Sequence, residues 1–295
     1  MNILYIGSSG ALSLLPFKKL QASGFSISAV GVFKPTTLPD KIIAQSYESP
    51  QHESLALVAS QHGIMLIDLS QPVQHILKKC QQCAIDVILM SCYSKRLPDA
   101  LINYASKGCF NMHPSLLPRY RGPEPVFWQM KEAADLGVTW HRVIDEFDAG
   151  EIMLQKKIIV DEGDSYASIN MQLAKTGTQL MLELLTRLTA NRSTEKIVGT
   201  EQESLIASYY PYPEQRDFVI NTQGSARQAY DFMCATQNFG YPYQCTIDGY
   251  FFSLQQALDY DNNLTLDTVE VHKNTLYIPF KEGVLIAAYT DKIAI

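Results

Sequence analysis

The chain has 295 residues, of which 46% are hydrophobic and 18% charged, and its net charge is −6. This composition excludes a disordered, collagen-like or low-complexity chain and supplies core enough for one large or two ordinary domains. The acidic balance argues against a nucleic-acid partner, because phosphates select a basic surface. No apolar run reaches the roughly 20 residues that span a bilayer, so no membrane association is expected and the cytoplasm is the expected location.

In chain order, "NILYIG" reads as a first strand rather than a signal peptide. "ALSLLPFKKLQASG" follows as a helix with Pro16 in its first turns, then "SISAVGVF" as a strand and residues 34–53 as a Pro-rich connection. "SLALVASQHG", "IMLIDL", "QPVQHILKKCQQC" and "AIDVILMSCY" alternate helix, strand, helix, strand. Strands this apolar, separated by helices, are buried on both faces, which predicts an α/β fold with a mostly parallel sheet covered by helices. "GSSG" at 7–10 is too short for a dinucleotide fingerprint. The six cysteines, Cys80, Cys83, Cys92, Cys109, Cys234 and Cys245, read as free thiols. "CQQC" lacks the second ligand pair of a zinc site, and no metal cluster is expected.

"GCFNMH" reads as the next strand, with Asn111 and His113 on one side of its carboxyl end. The following "PSLLPRYRGPEP" carries four prolines and a glycine, a loop with a fixed path. "GVTWHRVIDEFDAGEIMLQKKIIV" reads as two β-segments around a turn at Asp148, and a long amphipathic helix begins near Ser165. Residues 193–212 read as a linker, and 213–295, with one helix and several short β-runs, as a small, mostly-β domain resembling a partial barrel.

Asn111, His113 and Asp148 suit acyl transfer without a covalent nucleophile. A histidine accepts the proton of an incoming amine near neutral pH. An asparagine N–H meets a developing oxyanion. A buried aspartate orients the imidazole. Each residue alone has a plainer structural role, such as capping a turn or ending a strand; it is the combination that points to a site.

"FNMHPSLLPRYRG", then "GVTWHRV", then "DAGEIMLQ" resemble, in order, the N-x-H-x-S-L-L-P-x-x-x-G, G-x-T and D-x-G motifs of the folate-dependent formyltransferase family. That family includes methionyl-tRNA formyltransferase, glycinamide ribonucleotide transformylase and the N-formyltransferases of nucleotide-linked amino sugars. The resemblance implies a Rossmann-like catalytic domain at 1–192 and an OB-like module at 213–295. It implies Asn111, His113 and Asp148 as the catalytic set and 10-formyltetrahydrofolate as co-substrate, with no metal. It places the folate against Met90, Ser91, Cys92, Tyr93, Ile144 and Asp145, with Ser115, Leu116, Leu117, Pro118 and Val138 as further walls. Arg119 and Arg121 are candidates for an anionic substrate or the folate tail.

Three features bear on the acceptor. His141 in "GVTWHRV" resembles the glycinamide ribonucleotide and amino-sugar branches, and Tyr209–Tyr210 resemble the "YYP" connector of sugar enzymes. From 205 to 295 five bases oppose ten acids, giving −5. A module that tracks RNA phosphates needs the opposite sign. The expected acceptor is therefore a nucleotide-linked amino sugar or other small amine. Methionyl-tRNA is the alternative, and a non-catalytic folate or nucleotide-sugar binder is the alternative of another class. The Tyr-rich tail allows a homodimer.

Overall fold

The computed structural model describes residues 1–33, 54–191 and 197–294, so the Pro-rich connection at 34–53 lies outside the described residues. The described residues form two compact units. One gathers Met1–Pro123, Leu136–Ile158 and Asn170–Tyr210, and the other Glu124–Asp135, Ile159–Ile169 and Pro211–Ile295. The units do not follow chain order: two short stretches from the middle of the chain belong with the carboxyl-terminal residues.

The first unit is built on a seven-stranded sheet of β1 (Asn2–Ile6), β2 (Ser26–Val32), β3 (Met65–Asp68), β4 (Val87–Ser91), β5 (Gly108–His113), β6 (Gly137–Arg142) and β7 (Ile152–Lys157). Their order is β3-β2-β1-β4-β5-β6-β7. The first five are parallel, and β6 and β7 run antiparallel. The helices between them are α1 (Ala11–Ala22), α2 (Leu55–Gln61), α3 (Val73–Gln82) and α4 (Asp99–Ile102). All five residues of β4 are buried, as the apolar run "VILMS" requires of a central parallel strand. The order reverses between β1 and β4, and in such sheets ligands usually bind beyond the carboxyl ends of the strands near that point.

Pro16 lies inside α1, one turn later than the first-turn position a proline prefers. It has no N–H, so the Leu12 carbonyl lacks its helical partner. The Ser91 hydroxyl donates to that carbonyl at 2.6 Å, and the Ser13 hydroxyl donates to the Ser91 carbonyl at 3.0 Å. The break in the helix ladder thus becomes the tie between α1 and the end of β4. The "CQQC" thiols sit on and just after α3, and none of the six cysteines forms a disulfide.

In the second unit, α5 (Pro125–Lys131) and α7 (Ala226–Thr236) accompany a six-stranded sheet. Its strands are β8 (Val219–Ile220), β9 (Tyr243–Ile247), β10 (Tyr250–Asp261), β11 (Glu270–His272), β12 (Thr275–Pro279) and β13 (Val284–Ala294), in the order β11-β12-β13-β10-β9-β8. All pairings are antiparallel except β8 with β9. Phe127 of α5 centres its aromatic core, with ring centroids 5.0–5.4 Å from Phe218, Phe232 and Phe239. The expected mostly-β carboxyl-terminal fold is present. α6 (Tyr166–Ala190) contributes residues to both units.

Candidate active site

The antiparallel register sets Asn111 of β5 opposite His141 of β6 and His113 opposite Thr139. Directly opposed residues share a face, so these four side chains stand together at the carboxyl end of β5. Met112, Val138 and Trp140 alternate to the other face, where the Trp140 indole N–H donates to the Gly177 carbonyl of α6 at 2.8 Å.

Asp148 reaches the strand face from the loop between β6 and β7, with φ +54. Its Oδ1 lies 3.6 Å from His113 Nδ1 and 3.5 Å from His141 Nε2. Its Oδ2 accepts the Gly122 N–H at 3.0 Å. His113 Nε2 is 2.8 Å from the Tyr120 carbonyl. A carbonyl only accepts, so Nε2 carries the hydrogen and the neutral ring keeps its lone pair on Nδ1, toward Asp148. By the same reasoning His141 donates from Nδ1 to the Arg142 carbonyl at 3.0 Å, and its Nε2 accepts from Asn111 Nδ2 at 3.1 Å. The Asn111 amide is thereby oriented, and its second N–H remains for a ligand.

Burial lowers the His113 pKa, and the neighbouring His141 and Arg121 add to this, against the opposing pull of Asp148 and the Tyr120 carbonyl. The ring is therefore held in its neutral, basic form at neutral pH. For Asp148, burial acts to raise the pKa, but His113, His141 and the Gly122 N–H together outweigh it and hold the carboxyl ionised, well below the usual range. A neutral imidazole beside a fixed carboxylate is the arrangement a general base requires.

The loop motifs hold this geometry. The Thr139 hydroxyl donates to the Ser115 carbonyl at 2.6 Å, and Gln155 Nε2 donates to the Leu117 carbonyl at 2.9 Å. The Ser115 hydroxyl donates to the Arg119 carbonyl at 2.9 Å, closing the turn that carries Tyr120 and Gly122. At Gly150 a Cβ would stand 2.0 Å from the Arg142 carbonyl, so the D-x-G glycine is required by close backbone contact.

A cleft beside Asn111 and Asp148 is lined by Met90, Tyr93, Ile144 and Asp145 of the expected folate contacts, and by Leu97 and Phe147. Ile144 and Phe147 are 41% and 51% exposed, an apolar edge open to a ligand. Ser91 and Cys92 are placed differently. The Ser91 side chain is buried against α1, and Cys92 presents its carbonyl to the Ser8 hydroxyl. Ser115, Leu117 and Val138 are buried; Val138 lies on the opposite face from Asn111 and His113, beside Gly177 of α6. Leu116 and Pro118 belong to the same half-buried loop. Arg119 is exposed. Arg121 donates from Nε and Nη2 to Gln202 Oε1 and from Nη1 to Glu146, so its guanidinium is used within the protein. Tyr210 stacks on Tyr120 with centroids 5.4 Å apart, and Tyr209 is 61% exposed.

The sequence reading left His141 and Gln202 out of the site. For His141 the signal was its period-two relation to Thr139. Gln202 gave none, lying in a polar connector. Among the described residues, no cluster of three or more His, Cys, Asp or Glu side chains could hold a metal ion, and no helix is long and apolar enough to cross a membrane.

Residues 1–185 match the family described as formyl transferase. The chain is 26% identical over 292 residues to methionyl-tRNA formyltransferase of Syntrophomonas wolfei, covering 97% of this chain and 89% of that one. In fold it is similar to the N-formyltransferase of Helicobacter canadensis solved with folinic acid and dTDP-3-aminofucose, with TM-score 0.69, 17% identity and 98% of each chain covered. It is also similar to an A392F-I419F variant of HypX from Aquifex aeolicus, with TM-score 0.61 and 15% identity. That match covers 97% of this chain but 43% of the HypX chain, so this protein spans less than half of that one.

Proposed function

Because this chain belongs to the formyl transferase family, we propose that it moves a formyl group from 10-formyltetrahydrofolate to the primary amine of a nucleotide-linked amino sugar or similar small acceptor. The observation that carries the transfer chemistry is the Asn111–His113–Asp148 arrangement, completed by His141. The cleft lined by Met90, Tyr93, Ile144 and Phe147 offers apolar walls to the faces of a flat heterocycle. The folate supplies an electrophilic formyl carbon.

The residues of this chain do the rest. His113 Nδ1 faces Asp148 Oδ1 at 3.6 Å, longer than a hydrogen bond, so its lone pair is free to take the amine proton. The imidazolium so formed lies between the Asp148 carboxylate and the Tyr120 carbonyl, both of which favour its charge. The free N–H of Asn111 meets the negative charge that develops on the formyl oxygen, and His113 then returns its proton to the folate nitrogen as the bond between that nitrogen and the formyl carbon breaks, releasing tetrahydrofolate.

The charge of residues 205–295, −5, supports a small acceptor over tRNA. Of the five bases there, Arg216 is already paired with Glu214, and Arg227 with Glu162 and Asp231. The likeness to the Helicobacter canadensis enzyme, solved with a nucleotide-linked amino sugar, supports the same reading. Methionyl-tRNA is the second reading, favoured by the near full-length similarity to a methionyl-tRNA enzyme. The test is release of tetrahydrofolate from 10-formyltetrahydrofolate in the presence of either methionyl-tRNA or a panel of nucleotide-diphosphate amino sugars. Faster turnover with tRNA rejects the small acceptor. No turnover with any amine rejects transfer in favour of a binding protein. In the same assay His113→Ala is expected to lower turnover by roughly 10²–10⁴-fold while folate binding persists.

A further inference from the structure

The residues beyond position 196 do more than join two units. Thr200 exchanges both backbone hydrogen bonds with Ile152, at 2.8 Å each. Further on, Arg121 N–H donates to the Ser208 carbonyl and Tyr210 N–H to the Arg121 carbonyl, at 2.9 Å each. The Ser208 hydroxyl accepts the Tyr120 N–H at 2.9 Å. The segment is thus pinned at one end to the start of β7 and at the other to the loop that contacts His113 and Asp148.

Gln202 lies between the two pins and uses its whole amide. Nε2 donates to the carbonyls of Asp148 at 2.8 Å and Gly150 at 2.7 Å. Oε1 accepts from Arg121 Nη2 at 2.8 Å and Nε at 3.2 Å. One side chain therefore joins the backbone of the Asp148 turn to the loop whose Gly122 N–H binds the same aspartate. Asp148 sits at φ +54, a left-handed conformation that aspartate tolerates better than most residues and that local hydrogen bonds help to hold.

We propose that Gln202 is a positioning residue for the transfer step: it fixes Asp148 at the distance from which one carboxylate serves both His113 and His141. This rests on the transfer chemistry given above and extends the site into the connector. Small displacements matter here, since about 1 Å of misplacement can cost on the order of 10²-fold in rate.

The test uses Gln202→Met, which keeps the length and removes every hydrogen bond, and Gln202→Glu, which keeps the acceptor for Arg121 but turns both donors into acceptors. Each is expected to lower kcat by roughly 10–100-fold, with KM for the folate donor held within about twofold. A readout independent of activity is the titration of the His113 ring followed by NMR. The charged and titratable groups facing that ring are Asp148, His141 and Arg121. In Gln202→Met the midpoint is expected to fall, because the carboxylate that supports the imidazolium recedes. An unchanged midpoint in Gln202→Met overturns the proposal, as does full kcat in Gln202→Glu, which would reduce Gln202 to a partner for Arg121. Should Gln202→Met fail to fold, Gln202→Glu decides the matter by kcat. Absence of transfer by the unmodified protein would refute the transfer reading, while the NMR titration would still test the clamp.

Discussion

Glu124, in the "PEP" that ends the rigid loop, carries a charge problem with a measurable size. It is 1% exposed. Its Oε2 accepts the Tyr166 hydroxyl at 2.6 Å, and its Oε1 has no partner among the described residues. Burial pushes its pKa from 4.5 up to about 7, against the opposing effect of the Tyr166 hydrogen bond. A raised carboxyl pKa means that the folded protein holds the proton more tightly than the unfolded chain. The resulting stability is fully present below 4.5 and lost as pH rises through about 7. At about 1.4 kcal/mol per pH unit, that interval amounts to about 3 kcal/mol. Glu124→Gln keeps the shape and an acceptor for Tyr166 but cannot ionise. Urea unfolding of both proteins at about pH 5 and about pH 8, followed by tryptophan emission, gives the comparison. Other groups titrate in this window, His113 with the opposite sign, but they are common to both proteins and cancel in the difference. Because pH 5 already lies half a unit above 4.5, the wild type is expected to lose about 2.5 kcal/mol more than Glu124→Gln between the two conditions. Equal losses would show that Glu124 ionises without penalty and that its burial has been misread.

Two further perturbations act on the site itself. Asp148→Asn removes the carboxylate that raises the His113 pKa, so the acidic limb of the kcat profile is expected to move to lower pH as turnover falls by roughly 10²–10⁴-fold; an unmoved limb would separate Asp148 from the base. Gly122→Ala places a Cβ 2.1 Å from the Tyr210 carbonyl at φ +112. A loss of roughly 1–3 kcal/mol, read as a lower melting temperature, is expected together with reduced turnover, because Gly122 N–H binds Asp148; a wild-type melt would refute the required contact.

The fold was legible because its strands are apolar runs separated by helical periods, and a parallel sheet imposes that pattern on a sequence. Asn111 and His113 were legible for a local reason: two polar residues at i and i+2 end an otherwise buried strand. His141 shares a strand face with Thr139 by its period-two spacing, but its place opposite Asn111 needed the register of β5 against β6, and register is a property of pairing that no single segment displays. Arg121 shows the opposite difficulty. An arginine on a Pro-rich loop reads as a group awaiting an anion, yet its guanidinium meets Gln202, 81 residues away in sequence.

The contacts that hold His113 and Asp148 explain why so little of their support could be read. His113 is held by the Tyr120 carbonyl, Asp148 by the Gly122 N–H, and the Asp148 turn through the carbonyls of Asp148 and Gly150. Every residue type offers a carbonyl, and every type but proline an N–H, so such contacts leave the side chains at those positions nearly unconstrained. Identity is required where a side chain must meet backbone or where none can fit. Gln202 is the first case, because only an amide donates to two carbonyls while accepting from a guanidinium. Gly122 is the second, since any Cβ there meets the Tyr210 carbonyl. The site is therefore specified outside its reacting residues by a few positions in an unremarkable loop and connector, and those positions are where a substitution remote from the chemistry should alter rate more than binding.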